Sequence, residues 1–186
     1  MSAVAALAGR RIDAQDATVP RFPLRNVPLV RARLQRLFAR EGVELLVCSA
    51  ACGADLTALD VACAAGIRCR VVLPFEAERF RETSVVDRPG DWGELFDRLK
   101  PRIESASDLV VLSGEADAER AYLRANEVIV EEACRAARGR RRLAVVVWEG
   151  RAREGGDATE HFRRLASQAG MEERPISTFT ALARRL

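Results

Sequence analysis

Glu44–Ala65, ELLVCSAACGADLTALDVACAA, decides the fold. Glu44–Cys48 is short, largely apolar and preceded by Gly42, the pattern of a buried strand. Ser49, Ala50, Ala51, Cys52 and Gly53 follow, a turn without a bulky side chain that lets another group approach the backbone. Asp55 then opens a helix with Leu56, Leu59 and Cys63 at inward spacing. The free N–H groups of a first helical turn make an anion site. Asp55 caps such a helix and competes there with a phosphate, whereas a ribose hydroxyl, a donor, suits a carboxylate. The same residues also spell an ordinary strand-to-helix turn with an Asp cap, and both readings stand at this point.

Working outward, apolar runs alternate with helical periodicity. Ala3–Ala8 is a strand ending at Gly9-Arg10-Arg11-Ile12-Asp13. Val27–Arg40 is a helix with Val30, Leu34, Leu37 and Phe38 on one face, closed by Gly42. Downstream, Ile67–Leu73 is a third strand stopped by Pro74, followed by the irregular stretch Phe75–Gly90. Asp91–Ser105 is a helix in which Pro101 is a candidate break. Asp108–Leu112 is a fourth strand, Ser113–Glu119 an acidic loop and Ala121–Arg138 a helix. Arg142–Trp148 is a fifth strand, Gly150–Asp157 a charged surface loop, Thr159–Ala169 a helix and Glu173–Ile176 a candidate edge strand.

This alternation predicts an α/β fold: a Rossmann-like three-layer α/β/α sandwich with a mainly parallel sheet of five to six strands. At 186 residues the chain reads as one domain. Right-handed crossovers would gather the loops after strands one to four on one sheet edge, where open α/β sheets bind ligands. The predicted cleft therefore holds Gly9, Arg10, Arg11 and Asp13; Ser49, Ala50, Gly53 and Asp55; Arg79, Arg81 and Ser84; and Ser113 and Gly114. Asn126, polar on an otherwise core-forming helix, either contacts ligand or braces the loop after strand four.

Composition excludes several classes. No apolar run approaches the roughly 20 residues of a membrane span, and MSAVAALAGRR lacks the basic lead of a signal peptide, so a cytoplasmic protein without membrane contact is expected. Five cysteines with no second close pair, and a lone His161 read as surface, give no zinc pattern; reduced thiols and no metal are expected. The formal net charge is only +3, and Lys100 is the only lysine among 30 basic residues. Such a dispersed arginine surplus does not mark a nucleic-acid binder. Neither G-x-x-x-x-G-K-[ST] nor G-x-G-x-x-G is present, and no cofactor is expected.

A Gly-Arg turn after strand one combined with S-A-x-C-G-A-D after strand two resembles the SLOG superfamily of Rossmann-like domains. That superfamily includes the LOG phosphoribohydrolases, the DNA-processing protein A domain and the YspA-like group. CSAACGADLTALDVA is similar to the S-G-x-A-x-G-x-D-x-x-A pattern of the DNA-processing proteins and to the G-A-D form of YspA-like members. GRRIDA, RETSVVDRPGDW and the Tyr122/Asn126 helix resemble bacterial domains found beside cyclases and other signalling modules; the likeness covers most of Ala3–Val147. It implies a nucleotide, nucleotide-sugar or NAD-derived ligand, with Gly9 and Arg10 on the phosphate or base side and Ser49, Gly53 and Asp55 as an anion-and-ribose cradle. It also implies a fused or neighbouring signalling effector and pairing of copies through helices. Ala50 stands where many relatives carry Gly. SGEADAERAYLRANEVIVEEA replaces the P-G-G-x-G-T-x-x-E motif of the LOG enzymes, so their glutamate has no counterpart.

Three functions follow. The first is binding or sensing of a nucleotide-derived ligand in bacterial signalling or defence. The second is cleavage or exchange of an N-glycosidic bond, of phosphoribohydrolase or deoxyribosyltransferase type, with the carboxylate among Asp55, Glu82, Glu115, Glu131 and Glu132 and no catalytic residue assigned. The third is single-stranded DNA binding, which needs Phe75, Phe80 and Trp92 as stacking platforms beside Arg79, Arg81 and Arg88.

Overall fold

Ala3–Gly9 (β1) is made of small and apolar residues, and its first five are buried, as a strand covered on both faces requires. Five more strands lie beside it: Val43–Cys48 (β2), Arg68–Leu73 (β3), Leu109–Val111 (β4), Arg141–Trp148 (β5) and Glu172–Ser177 (β6). The computed structural model describes residues 2–115 and 117–180; Ala116, within the loop expected over Ser113–Glu119, lies outside them. Every strand pairing is parallel, and the order is β4-β3-β2-β1-β5-β6. The expected Rossmann-like sandwich is therefore present, with a wholly parallel sheet of six strands.

The helices are Val27–Glu41 (α1), Ala54–Ala64 (α2), the single turn Ala77–Phe80 (α3), Trp92–Ser105 (α4), Ala118–Ala137 (α5) and Ala158–Gln168 (α6). Strand alternation sorts them into layers. Ala3, Ala5 and Leu7 of β1 point to the core under α1, α2 and α4, while Val4 and Ala6 point to the core under α5 and α6. α2 is buried along most of its length, from Ala54 to Leu59 and at Val61 and Ala62; Cys63, expected inward, is half-buried. Pro101 does not end α4: buried Leu99 and Ile103 hold the helix down on either side of it, and Pro101 lies on the exposed face.

The chain reverses direction across the sheet once. It steps outward from β1 to β4, then returns through α5 to place β5 on the other side of β1. Splaying of the connections at such a reversal opens a crevice beyond the carboxyl ends of the two strands. Here that crevice lies over Gly9 of β1 and Val147 of β5, which are register partners.

Candidate functional site

A cavity of about 570 Å³ occupies this crevice, within the range of small-molecule sites. Its floor is the end of β1, Leu7 to Arg11; one side is Ser49, Ala51 and Asp55, with Phe80 and Ser84 beyond. The roof is α5, through Tyr122, Ala125, Asn126 and Ile129, and the other side is the segment after β5, with Arg153, Asp157, His161 and Arg164.

The small residues of the β1 and β2 turns serve backbone contact. A Cβ on Gly53, whose φ is +101°, would stand 2.7 Å from the carbonyl oxygen of Arg10 and 2.8 Å from the nitrogen of Ile12. A Cβ on Gly9 would meet Ala54 Cβ at 2.5 Å. The two turns thus cross in contact, and the first N–H of α2, on Ala54, donates to the Arg10 carbonyl at 3.1 Å. Leu56 N donates to Ala51 O and Thr57 N to Gly53 O. The expected anion site at the start of α2 is therefore largely filled, because the Ala54, Leu56 and Thr57 N–H groups are engaged by the protein's own carbonyls. Nor does Asp55 cap the helix. Gly53 holds the cap position, and the Asp55 carboxylate folds back to accept from Ala51 N at 3.2 Å.

Asp55 faces the cavity with only 8 % of its surface exposed. Burial pushes its pKa up to about 7, against the opposing pull of the Ala51 N–H and of Arg11. The group therefore changes charge near neutrality. Arg11 lines the same side, bonded to Asp87, and its Nε is buried without a partner among the described residues.

Arg10 is placed differently from expectation. It is 2 % exposed, and four of its five N–H bonds are taken. Nε and Nη2 donate to the Glu149 carboxylate at 2.7 and 3.2 Å, Nη1 to Asp157 at 2.7 Å, and Nη2 to the Arg151 carbonyl at 2.6 Å. Rather than offering its fork to a phosphate, Arg10 ties the segment after β5 to the end of β1. Burial alone would raise the pKa of Glu149 and Asp157, but the Arg10 hydrogen bonds hold both below their usual values. Asp157 also caps α6, accepting from Thr159 N at 2.9 Å and Glu160 N at 3.2 Å.

That segment, read from sequence as surface, is instead a wall of the site. Arg153 and Arg164 have no ion-pair partner among the described residues. Burial, and then neighbouring Arg10, hold the Arg153 pKa below its ordinary value. His161, expected outside the cleft, lines it; its Nδ1 is buried without a partner among the described residues, and burial lowers its pKa. One signal was available: Asp157-x-x-Glu160 has the spacing of a capping box, which sets the helix start and places His161 about one turn past the helix cap.

Asn126 lines the cavity and donates to Ala158 O at 2.8 Å, so it braces the start of α6 rather than the loop after β4. Ser84 lines it too, with its Oγ 2.6 Å from the Tyr122 hydroxyl, and its carbonyl accepts from Cys52 N. Ser84 belongs to a π turn, Arg81–Val85, inside the stretch read as irregular.

The remaining expected residues lie elsewhere. Ala50 is buried on the core side beside Leu56 and Leu59. The Asp13 carboxylate accepts from Arg21 N and Phe22 N and shapes its own loop. Arg79 stacks over Phe75 at 4.3 Å, and Arg81 forms a bidentate pair with Asp97. Ser113 and Gly114 are exposed after β4, an outer strand three places from β1, which removes these two residues from the crevice. Among the carboxylates weighed for catalysis, only Asp55 reaches the cavity. Glu132 pairs with Arg70 and Arg135, Glu131 with Arg124 and Glu115 with Arg120. Glu119, at the end of the Ser113–Glu119 stretch expected at the cleft, does line the cavity, opposite Gly156.

Among the described residues no group of three or more His, Cys, Asp or Glu side chains is arranged to hold a metal ion, and no helix is long and apolar enough to cross a membrane. No protein-family model and no curated protein matches the chain. Chemically, the cavity offers a hydroxyl-accepting end at Ser49 and Asp55, a cationic end at Arg153 and Arg164 with His161 nearby, and an apolar roof on α5.

Proposed function

We propose that this chain binds a nucleotide-derived ligand in the crevice between β1 and β5. One observation carries the reading: a buried carboxylate and two arginines without an ion-pair partner among the described residues line opposite walls of one cavity at the reversal point of a parallel sheet. A ribose hydroxyl donates to Asp55 while phosphoryl oxygens meet Arg153 and Arg164, and the base lies against Tyr122, Ala125 and Ile129. The expected ligand polarity is thereby reversed, with the anion away from α2. Membership of the SLOG superfamily is part of this proposal. Ser49 and Asp55 of the S-A-A-C-G-A-D turn, on which that resemblance rests, supply the hydroxyl-accepting end of the cavity. On this reading the protein is a cytoplasmic ligand sensor in bacterial signalling or defence.

A second reading rests on the pKa of about 7 at Asp55. A carboxyl group poised between its two protonation states at neutral pH suits acid–base work on an N-glycosidic bond. Single-stranded DNA binding has no comparable support. Phe75, Phe80 and Trp92 are each less than a tenth exposed and form core, not stacking platforms.

The test is thermal shift against AMP, cyclic AMP, ADP-ribose, cyclic ADP-ribose, NAD and deoxynucleosides, with chromatography of each incubated compound. A ligand at a hundred times its Kd stabilises by about 2.7 kcal/mol. A compound that stabilises the protein, returns intact and loses its effect in Asp55→Ala supports the sensor. One that returns cleaved supports the glycosidase, and no shift from any member of the panel overturns the nucleotide reading.

A further inference from the structure

At the end of the sheet away from the cavity, two cysteines face each other. Cys63 stands in the last turn of α2 and Cys69 near the start of β3, joined by a short turn through Gly66, whose φ is +72°. Their sulfur atoms are 3.7 Å apart. The remaining cysteines differ. Cys48 and Cys52 are buried, and Cys134 has the Arg142 guanidinium 3.8 Å from its sulfur rather than another thiol.

We propose that Cys63 and Cys69 form an oxidisable dithiol, a site at which a hydroperoxide converts two thiols into an intramolecular disulfide. Three observations divide the roles. Cys63 is half-buried and open to a small oxidant, whereas Cys69 is 7 % exposed. The Cys69 thiol lies within reach of both the Cys63 sulfur and the Ile67 carbonyl, at 3.5 Å from the latter, so it can donate to a thiolate at Cys63. That hydrogen bond lowers the Cys63 pKa, opposed by burial and by Asp60 and assisted by Arg102 of α4. The same contact, with burial, raises that of Cys69. Cys63 is thus the attacking sulfur and Cys69 the resolving one.

The steps balance. The Cys63 thiolate attacks the terminal oxygen of the hydroperoxide, the O–O bond breaks, the alcohol leaves with a solvent proton, and Cys63 becomes a sulfenic acid. The Cys69 sulfur, releasing its proton, attacks the Cys63 sulfur; the S–O bond breaks and water leaves. Two thiols lose two electrons in total, and the hydroperoxide gains them. Closure brings the sulfurs from 3.7 Å to the disulfide length of about 2.05 Å, a distance that side-chain rotation in the last turn of a helix can cover. The closed ring pins the last turn of α2 to β3. The site is independent of any ligand in the cavity.

The experiment exposes the full chain to hydrogen peroxide at neutral pH, blocks residual thiols with N-ethylmaleimide, and reads intact mass and tryptic peptides. Cleavage after Arg68 separates the two cysteines, so a disulfide between them joins two peptides that otherwise part. Expected are a loss of two hydrogens, two fewer blocked thiols, and fragmentation placing the bond on Cys63 and Cys69. Cys69→Ser should carry Cys63 on to the sulfinic acid, and Cys63→Ser should slow oxidation to the rate of Cys134. A bridging arsenical, phenylarsine oxide, gives a readout without substitution: one equivalent should protect both thiols from alkylation. Wild-type Cys63 reaching the sulfinic acid without a bond to Cys69, Cys134 oxidising first, or an arsenical that leaves either thiol open would each overturn the proposal.

Discussion

Arg10 and Glu149, 139 positions apart in the chain, meet as a bidentate pair at 2.7 and 3.2 Å over the reversal point of the sheet. Both side chains are at least nine-tenths buried. The pair joins the first strand's turn to the segment after β5, and the same guanidinium reaches Asp157 at the start of α6.

Arg10→Met should therefore cost more than its own contacts, since Asp157 would lose its ion-pair partner while buried and Glu149 would keep only Arg21. Removing one partner of a buried ion pair typically costs about 3–5 kcal/mol. Chemical denaturation should show a loss of that order. The Arg10→Lys variant should recover only part of it, because an ammonium cannot hold both oxygens of Glu149 in a fork.

Gly53 and Gly66 both adopt positive φ, at +101° and +72°, but only Gly53 is crowded, by Arg10 and Ile12 backbone; nothing lies within 4 Å of a Cβ at Gly66. Gly66→Ala should cost about 1 kcal/mol, the expense of a left-handed alanine. Gly53→Ala should cost several times as much or prevent folding, because the β1 turn must move away from α2. Melting temperatures of the two variants, measured side by side, check the difference.

Asp55 has a folded pKa of about 7, raised from 3.8 chiefly by burial. Between those values the unfolded chain has released the proton while the folded protein still holds it, so stability falls as pH rises from about 4 to 7 and then levels off. At about 1.4 kcal/mol per unit, the full effect is on the order of 4 kcal/mol. Asp55→Asn should flatten this part of the stability profile and leave the variant more stable than the parent at pH 8. A hydroxyl donor prefers the carboxylate, so ligand affinity should fall below pH 7 in the parent and not in the variant. Denaturation and calorimetry across pH 4–8 test both.

Arg153→Gln and Arg164→Gln should each weaken a phosphorylated ligand by about tenfold, at 1.4 kcal/mol per tenfold, and leave the corresponding nucleoside unaffected. A charge-assisted bond of roughly 1.5–3 kcal/mol is at stake in each case. Calorimetry with matched nucleotide and nucleoside makes the comparison. Equal losses for both ligands would reverse the orientation proposed.

The apolar strands and the small-residue turn were legible because they are local: Leu45–Cys48 must be buried, and Ser49–Gly53 has no bulky side chain to keep another group from the backbone. The partner that crowds Gly53 proved to be the backbone of Arg10 and Ile12. What could not be read was strand order. Ordering the strands by position made the loop after strand four part of the cleft, whereas the reversal at β1 and β5 replaces Ser113 and Gly114 with Arg153, His161 and Arg164. Gly150–Asp157 has the composition of a surface loop. Only the contact of Arg10 with Glu149 and Asp157 reveals it as a wall, and that contact spans 139 and 147 positions.

A strand at the centre of the sheet that lies at the start of the sequence sets an order on synthesis. β1 gains β2 within a few dozen residues, but its other edge pairs with Arg141–Trp148 and stays open until that strand has left the ribosome. Pairing across such a separation is slow to form, and an uncovered strand edge invites association with other chains meanwhile. A nascent chain stalled before residue 141 would hold Asp55 and the crossed turns yet have no wall facing them. It would also be the species most in need of a chaperone.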